Sequence, residues 1–414
     1  MLRVRQHFEA PRVADVAQAV RRELARLRIG ETIRPGQSVA VTAGSRGIAN
    51  IALVIRTVIE VLRDLGAVPF IVPAMGSHGG GTAEGQRAIL EGYGITEASA
   101  GAPIRSSMEV VCLGETEDGV PVWFDREAAA ADHVVIVNRV KPHTTFSAEI
   151  ESGLAKMLVI GLGKQVGASV YHRAIVERSF SRVLASAAHV LRERARVAFG
   201  LALVENASDE TAAIEAVRPA ELEAREKALL VLAKRWMPRL PVAAADLLVV
   251  EEMGKNVSGS GMDTNVIGRK PEGDGRGAPR IRRVFVRALT PETRGNAYGI
   301  GFADFTTTRL VAAMDYRATV LNCLTAAHPE AGLIPLHFAT DREAVDAALA
   351  SAGLGSAEHA RVVRIQNTRR LAELEVSEAC REEVATRGDI DVRAPARELA
   401  FDEAGNLLPL GAGW

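Results

Sequence analysis

The sequence predicts a protein of two α/β domains, the first with a mostly parallel sheet that is covered by helices. Short apolar segments, such as residues 38–42 and 133–138, alternate with stretches whose apolar residues recur at helical spacing. Strands that are buried on both faces of a parallel sheet are apolar throughout, and strand–helix–strand order builds such a sheet. At ~100–200 residues per domain, the 414 residues suggest two domains.

The individual elements follow from two patterns. Apolar residues at i, i+3, i+4 and i+7 indicate an amphipathic helix, and residues 51–65 show this stripe most clearly. Further helices are predicted at 13–27, 83–90, 180–191, 219–236, 304–327 and 342–351. The predicted strands are 38–42, 68–72, 108–113, 120–124, 133–138, 197–204, 247–250 and 361–365, of which the third and fourth form a hairpin.

The domain boundary is predicted near Pro238 and Pro241, which follow a charged helix. This gives a first domain at 1–240 and a second α/β domain at 241–394. The C-terminal tail, about 395–414, is expected to pack back on the first domain. We expect the active site in the cleft between the domains. No G-x-G-x-x-G motif follows the first strand, so the sequence does not indicate a standard dinucleotide-binding site.

The composition excludes several classes of function. The formal net charge is −1 and aromatic residues make up 4% of the chain, which disfavours a nucleic-acid partner. Cys112, Cys323 and Cys380 form no C-x-x-C pair, which argues against a cysteine-ligated metal site and fits a reducing compartment. No apolar run reaches the ~18 residues of a membrane span, and the N-terminus lacks a signal-peptide pattern. We therefore expect a cytoplasmic protein with no membrane partner.

Polar and glycine residues follow three of the predicted parallel strands, where open sheets bind their ligands. Ser45 and Arg46 come after the first strand, His78 lies in a glycine-rich loop after the second, and Lys141 and His143 come after another. Glycines let a backbone approach a ligand and leave N–H groups for an anion, although this loop could equally be only a flexible turn. The non-functional alternatives are a tight turn at His143 and a surface charge at Arg46. Arg46 could instead hold an anion at a helix N-terminus.

A lysine among small and apolar residues, Lys156, is the next candidate. Such a lysine can serve as a nucleophile or attachment point through a lowered pKa, and the alternative is a lysine on a helix surface. The neighbouring Gly161–Lys164 motif lacks the spacing of a phosphate-binding P-loop.

These motifs together resemble the lactate racemase family. The family pattern places a histidine, a small-residue turn ending in an attachment lysine, and a nickel-ligating histidine sixteen positions later. His143, Lys156 and His172 follow it, and 172 − 156 is 16. The loop 76–78 is similar to the family's Gly-Thr-His loop, and residues 44–46 stand in the place of its Asp-His-Thr-Arg motif.

The resemblance implies a racemase or epimerase that inverts the hydroxyl-bearing C2 carbon of a 2-hydroxy acid by reversible hydride transfer. The substrate would be lactate-like, or a larger hydroxy or aldonic acid. The implied cofactor is the nickel pincer nucleotide, pyridinium-3,5-bisthiocarboxylic acid mononucleotide nickel, whose two sulfurs and one ring carbon hold Ni. The first domain would bind it and the second would bind substrate. Cofactor-maturation proteins are implied partners, and self-association into a homo-oligomer is left open.

The resemblance also implies a role for each candidate residue. His78 and His143 would be the catalytic bases on opposite sides of the substrate, and His172 would ligate nickel, a metal that imidazole suits. The implied cofactor-binding residues are Lys156, Ser45, Arg46, Ser152 and Gly153, and the implied substrate-binding residues are Lys255 and Arg46. Lys270 is the alternative to Lys255.

Departures from the family pattern indicate a paralogue rather than a true lactate racemase. The family's Ser-Gly-Gly-Arg-Lys is Ser-Gly-Leu-Ala-Lys at 152–156, about three extra residues precede it, and Arg46 stands without the Asp and His of its motif. Whether Lys156 bonds covalently to the cofactor stays open. Two other functions also stay open, a zinc hydrolase that uses His78, His143 and His172, and a non-enzymatic nucleotide-binding protein.

Overall fold

The computed structural model describes residues 1–45, 47–271 and 278–410, and the side chains of all of these except 172, 176 and 177. The chain forms two compact units. The N-terminal unit consists of Glu9–Pro142 and Ser147–Met237. The C-terminal unit consists of Met1–Phe8, His143–Phe146 and Pro238–Trp414.

Strands and helices alternate along most of the described chain. The strands are β1 (Leu2–Gln6), β2 (Ser38–Ala43), β3 (Val68–Pro73), β4 (Val110–Glu115), β5 (Pro121–Asp125), β6 (His133–Arg139), β7 (Val197–Glu205), β8 (Thr211–Val217), β9 (Ala244–Met253), β10 (Arg280–Leu289), β11 (Phe305–Thr307), β12 (Leu336–Phe338), β13 (Val362–Ile365), β14 (Glu373–Val376) and β15 (Ile390–Val392). The α-helices are α1 (Val16–Leu27), α2 (Ile51–Asp64), α3 (Ala83–Gly92), α4 (Glu97–Ala100), α5 (Arg126–Ala130), α6 (Leu154–Lys156), α7 (Lys164–Glu177), α8 (Phe180–Arg194), α9 (Leu222–Trp236), α10 (Thr264–Ile267), α11 (Thr308–Ala312), α12 (Tyr316–Ala326), α13 (Asp341–Ser351) and α14 (Arg381–Ala385).

The N-terminal unit is built on a five-stranded sheet in the order β3-β2-β6-β7-β8. The first four strands are parallel and β8 is antiparallel to β7. The apolar stripe of α2 packs on this sheet, with Val54, Ile55 and Val58 fully buried in the core. β4 and β5 form the predicted antiparallel hairpin. The predicted α/β class with a mostly parallel, helix-covered sheet is therefore confirmed.

The parallel pairing brings three strand ends to one edge of this sheet. Ala43, the last residue of β2, pairs with Pro73, the last residue of β3, and β6 runs parallel to β2 on its other side. The segments that follow β2, β3 and β6 therefore leave the sheet at the same edge. These are the segments in which the sequence placed its candidate residues.

The C-terminal unit has an eight-stranded sheet in the order β12-β11-β10-β9-β13-β14-β1-β15. The strands from β12 to β13 are parallel, and β14, β1 and β15 pair antiparallel. The first residues of the chain belong to this sheet, because Leu2 pairs with Val376. The tail also packs here, since buried Leu407 joins the cluster around Leu247 and Phe285. In both places the observed units differ from the sequence-based division, which assigned these segments to the first domain.

One predicted helix is wrong. Residues 304–327 form β11, α11 and α12 instead of one helix. The Thr307 side chain accepts from the backbone N–H of Leu310, and Asp315 accepts from the N–H of Ala318. Each is an N-cap, which starts a new helix rather than continuing an old one.

Among the described residues, every helix is too short or too polar to cross a bilayer.

Candidate active site

His78 lies in the loop that follows β3 and is exposed. Its Nδ1 shares a hydrogen bond with the Ser45 hydroxyl from the loop after β2. Tyr93 in turn donates its hydroxyl to the Ser45 carbonyl at 2.8 Å. A histidine that is held at one ring nitrogen presents the other in a defined direction, as a general acid or base requires.

The glycines beside His78 make a tight turn. Gly79 has φ of +68°, a left-handed conformation, and a Cβ there would lie 2.7 Å from the backbone nitrogen of Gln86. No larger residue fits this position without moving helix α3. The loop at Gly79 is therefore packed against α3, and its use as an anion or ligand site stays a prediction.

The Lys156 segment lies where the three strand ends meet. Asn138, in β6, donates from its side-chain amide to the Gly153 carbonyl at 2.7 Å. The N–H of Gly76, after β3, donates to the Gly161 carbonyl at 3.0 Å. A Cβ at Gly44, after β2, would lie 3.0 Å from the Met157 methyl carbon. Residues 153–161, which include Lys156, are thus contacted from the ends of β2, β3 and β6.

The segment itself is locally unusual. After the three residues of α6 the chain forms a π-helical turn, Met157–Gly161. Such turns are rare and are frequently found at functional sites. Lys156 is partly buried, and its ammonium lies 5.8 Å from the Phe180 ring centroid, within the range of a cation–π contact.

A buried carboxylate approaches the start of this segment. Glu226, in α9, is 1% exposed and accepts from the backbone N–H of Ala155 at 2.9 Å. Burial raises the pKa of Glu226 to about 7, and the N–H groups of Ala155 and Leu154 act in the opposite direction. A Cβ at Gly153 would lie 2.2 Å from Glu226 Oε1, so this close approach requires glycine.

His143 belongs to a short segment that packs with the C-terminal unit. Its ring stacks on Phe146, with centroids 4.4 Å apart. The N–H of Thr145 donates to His143 Nδ1 at 3.1 Å. Because Nδ1 accepts, the neutral ring carries its hydrogen on Nε2. Asn265 donates to the His143 carbonyl at 3.2 Å, which ties the segment to α10.

The two candidate lysines of the C-terminal unit have different contacts. Lys255 follows the carboxyl end of β9, donates to the Gly259 carbonyl at 2.7 Å and lies over the Tyr298 ring at 4.3 Å. Lys270 donates to the Phe146 carbonyl at 2.8 Å. Lys255 therefore lies at a strand end, where ligands bind in parallel sheets, whereas Lys270 supports the segment that carries His143.

Residues 2–182 match the family described as the lactate racemase N-terminal domain. This part of the chain, a little under half of its length, is similar to the lactate racemase family. One similar solved structure is the lactate racemase apoprotein from Thermoanaerobacterium thermosaccharolyticum, with 11% identity and a TM-score of 0.55. The match covers 88% of this chain and 94% of that chain, and it shows the fold. No curated protein sequence matches the chain.

Two of the predicted site residues fall outside the described part of the chain. Arg46 lies outside the described residues, and so does the side chain of His172, whose backbone is in α7. Among the side chains that are described, no group of three or more His, Cys, Asp or Glu could hold a metal ion. Nickel ligation by His172 stays a prediction, as do the roles of His78, His143, Lys156, Ser152 and Lys255.

The sequence did not single out Glu226, although a signal for it exists. In α9 the buried positions are Leu222, Glu226, Leu229, Leu230 and Ala233. Glu226 therefore stands on the apolar stripe of the helix, four residues after a buried leucine. A carboxylate at such a position is almost never buried without a partner. The charge on the apolar stripe could have indicated that Glu226 meets backbone N–H groups.

Proposed function

We propose that this protein is a nickel-dependent racemase or epimerase acting on C2 of a 2-hydroxy acid, with the nickel pincer nucleotide as cofactor. The observation that carries the proposal is the convergence of three strand ends on the segment that contains Lys156, in a lactate racemase-like chain. The substrate class is a small hydroxy acid, lactate-like or an aldonic acid.

The residues present fit this cofactor. It brings three of its own nickel ligands, so the protein needs to supply few, and His172 is the residue proposed to do so. Lys156 offers an amine on a segment that is fixed at both ends, by Asn138 at Gly153 and by Gly76 at Gly161. Ser45, Arg46, Ser152 and Gly153 are proposed to hold the nucleotide. When bound, the cofactor supplies a hydride acceptor, which is chemistry that side chains lack.

The chain's own residues are proposed to move protons and hold the substrate. His78, oriented by Ser45, takes or returns the proton of the substrate hydroxyl, since imidazole titrates near neutrality. His143 is proposed to do the same for the opposite enantiomer. To take a proton, its ring must leave the contact in which Nδ1 accepts from the N–H of Thr145, or present Nε2 in the other tautomer. Lys255 and Arg46 are proposed to bind the carboxylate.

Metal analysis combined with kinetics tests the proposal. The protein is produced together with cofactor-maturation proteins and assayed on a panel of 2-hydroxy and aldonic acids. His78→Ala and His143→Ala should each lower turnover by ~10²–10⁴-fold, the usual contribution of a positioned acid or base, and should keep nickel. His172→Ala should lose nickel and stay folded.

Three outcomes would contradict the proposal. Wild-type turnover in His78→Ala or His143→Ala would refute the two-base mechanism. Loss of metal from all three variants together would favour a zinc hydrolase. Binding of a nucleotide with no turnover of any acid would favour a non-enzymatic nucleotide-binding protein. A bound sulfur-containing nucleotide, detected by mass and absorbance, would argue against the zinc hydrolase.

A further inference from the structure

A fully buried ion pair lies behind the His78 loop. Lys164, the first residue of α7, and Asp125, the last residue of β5, both have 0% exposed side chains. The Lys164 ammonium lies 3.1 Å from Asp125 Oδ2. Burial lowers the pKa of Lys164 and raises the pKa of Asp125, and each partner opposes the effect on the other. A buried cation is retained only where several groups satisfy it.

The other partners of Lys164 are polar groups around β3. Its ammonium donates to the carbonyl of Pro73, the last residue of β3. It also donates to Gln86 Oε1 at 3.2 Å. The strand end from which the His78 loop departs is therefore bound directly by the buried lysine.

Gln86 extends this contact to the far side of the loop. It lies in α3 with a fully buried side chain, and its Nε2 donates to the carbonyls of Gly76, at 2.9 Å, and His78, at 3.3 Å. An ammonium has only donors, so the amide oxygen of Gln86 must face Lys164 and its NH₂ must face the loop. Lys164 thereby fixes the orientation of the amide that holds the His78 backbone.

We propose that Lys164 and Gln86 are positioning residues for His78, fixing the loop from Pro73 to His78 so that the ring meets Ser45. The proposal rests on the catalytic role proposed above for His78. If Lys164 and Gln86 only stabilised the fold, contacts with the core would be enough. Their chain of hydrogen bonds instead ends on the backbone carbonyl of His78. Lys164 also begins the helix that carries His172, so one buried residue anchors both elements. Catalytic groups need placement within about 0.5 Å, which a loop achieves only with such support.

Gln86→Met is the variant of choice, because it removes the two donors and keeps the Lys164–Asp125 pair. The full-length protein is labelled with ¹⁵N-histidine, and His78→Gln assigns the ring signals of His78. The wild type should show His78 ring signals that differ from those of free histidine, because Ser45 holds Nδ1. In Gln86→Met the His78 signals should shift toward the mixed tautomers of free histidine. On a substrate that the wild type racemises, turnover should fall about tenfold, with nickel retained.

Leu90→Ala is the matched control, since Leu90 is fully buried one turn further along α3 and contacts the core instead of the loop. It should lower stability and leave the His78 tautomer unchanged. An unchanged His78 spectrum in folded Gln86→Met, or the same change in Leu90→Ala, would overturn the proposal. Should Gln86→Met fail to fold, Gln86→Glu has the same shape, keeps an acceptor for Lys164 and lacks the donors. The spectra need no turnover, so they decide the positioning role even where the proposed reaction fails.

Discussion

We predict that Glu226 lowers the stability of the N-terminal unit as the pH rises, and that replacing this one residue removes the effect. Its folded pKa is about 7, compared with a usual value of 4.5. Below pH 4.5 both the folded and the unfolded chain hold the proton. Between 4.5 and about 7 only the folded chain does, so ionisation of the unfolded chain favours unfolding as the pH rises. Above about 7 both forms are ionised and this contribution no longer changes.

The magnitude follows from the same values. One unit of pKa corresponds to ~1.4 kcal/mol, so the interval from 4.5 to about 7 corresponds to a loss of ~3 kcal/mol of unfolding free energy. Glutamine at this position cannot ionise and keeps an oxygen to accept from Ala155. Glu226→Gln should therefore gain ~3 kcal/mol relative to the wild type on going from pH 4.5 to pH 8.

Denaturant unfolding from pH 4.5 to pH 8.5 measures this difference, with ΔG extrapolated to water and the slope m compared between proteins. Glu223→Gln removes an exposed carboxylate from the same helix and serves as the control, for which we expect no comparable divergence. Parallel stability curves for Glu226→Gln and the wild type would refute the argument that burial raises the pKa of Glu226.

Two further predictions concern residues near the proposed site. Gly153→Ala should destabilise the protein by ~1–3 kcal/mol, because its Cβ would lie 2.2 Å from Glu226 Oε1, whereas Gly92→Ala, where a Cβ meets nothing, should be nearly neutral in the same unfolding assay. On a substrate of the reaction proposed above, Lys255→Met should raise KM with a smaller effect on kcat. Lys270→Met should lower kcat, since Lys270 holds the backbone beside His143. Equal effects of the two lysine variants on KM would contradict this division of roles.

Local patterns predicted much of the fold, and long-range pairing set the rest. The helix α2 and the strand β6 can be recognised from a few residues of sequence. A helix that packs on a sheet has apolar residues every three to four positions, and a strand buried on both faces is apolar throughout. Nothing in the sequence near Leu2 indicates that it pairs with Val376. The two residues are far apart in the chain and meet only when the whole sheet forms. The caps at Thr307 and Asp315 were missed because an apolar helical spacing continues across them.

The candidate site shows the same division. His78, His143 and Lys156 could be identified because their flanking residues resemble a known pattern. Gln86 and Glu226 carry no such flanking motif and act only through contacts that the fold creates. The Gly161–Lys164 motif does not match a phosphate-binding loop. Its lysine instead makes buried contacts that only the folded structure reveals.

The two buried anchors explain how the Lys156 turn can depart from the family pattern. Lys164 and Glu226 bind backbone groups, carbonyls at a strand end and N–H groups at a helix start, so neither depends on the side chains of the turn. The leucine in Ser-Gly-Leu-Ala-Lys lies against β7. Leu154 is fully buried, and a Cβ at Gly200 in β7 would lie 2.7 Å from its methyl carbon. Glycine at 200 thus makes room for leucine at 154, and the substitution is absorbed beneath the turn while the backbone before Lys156 stays held.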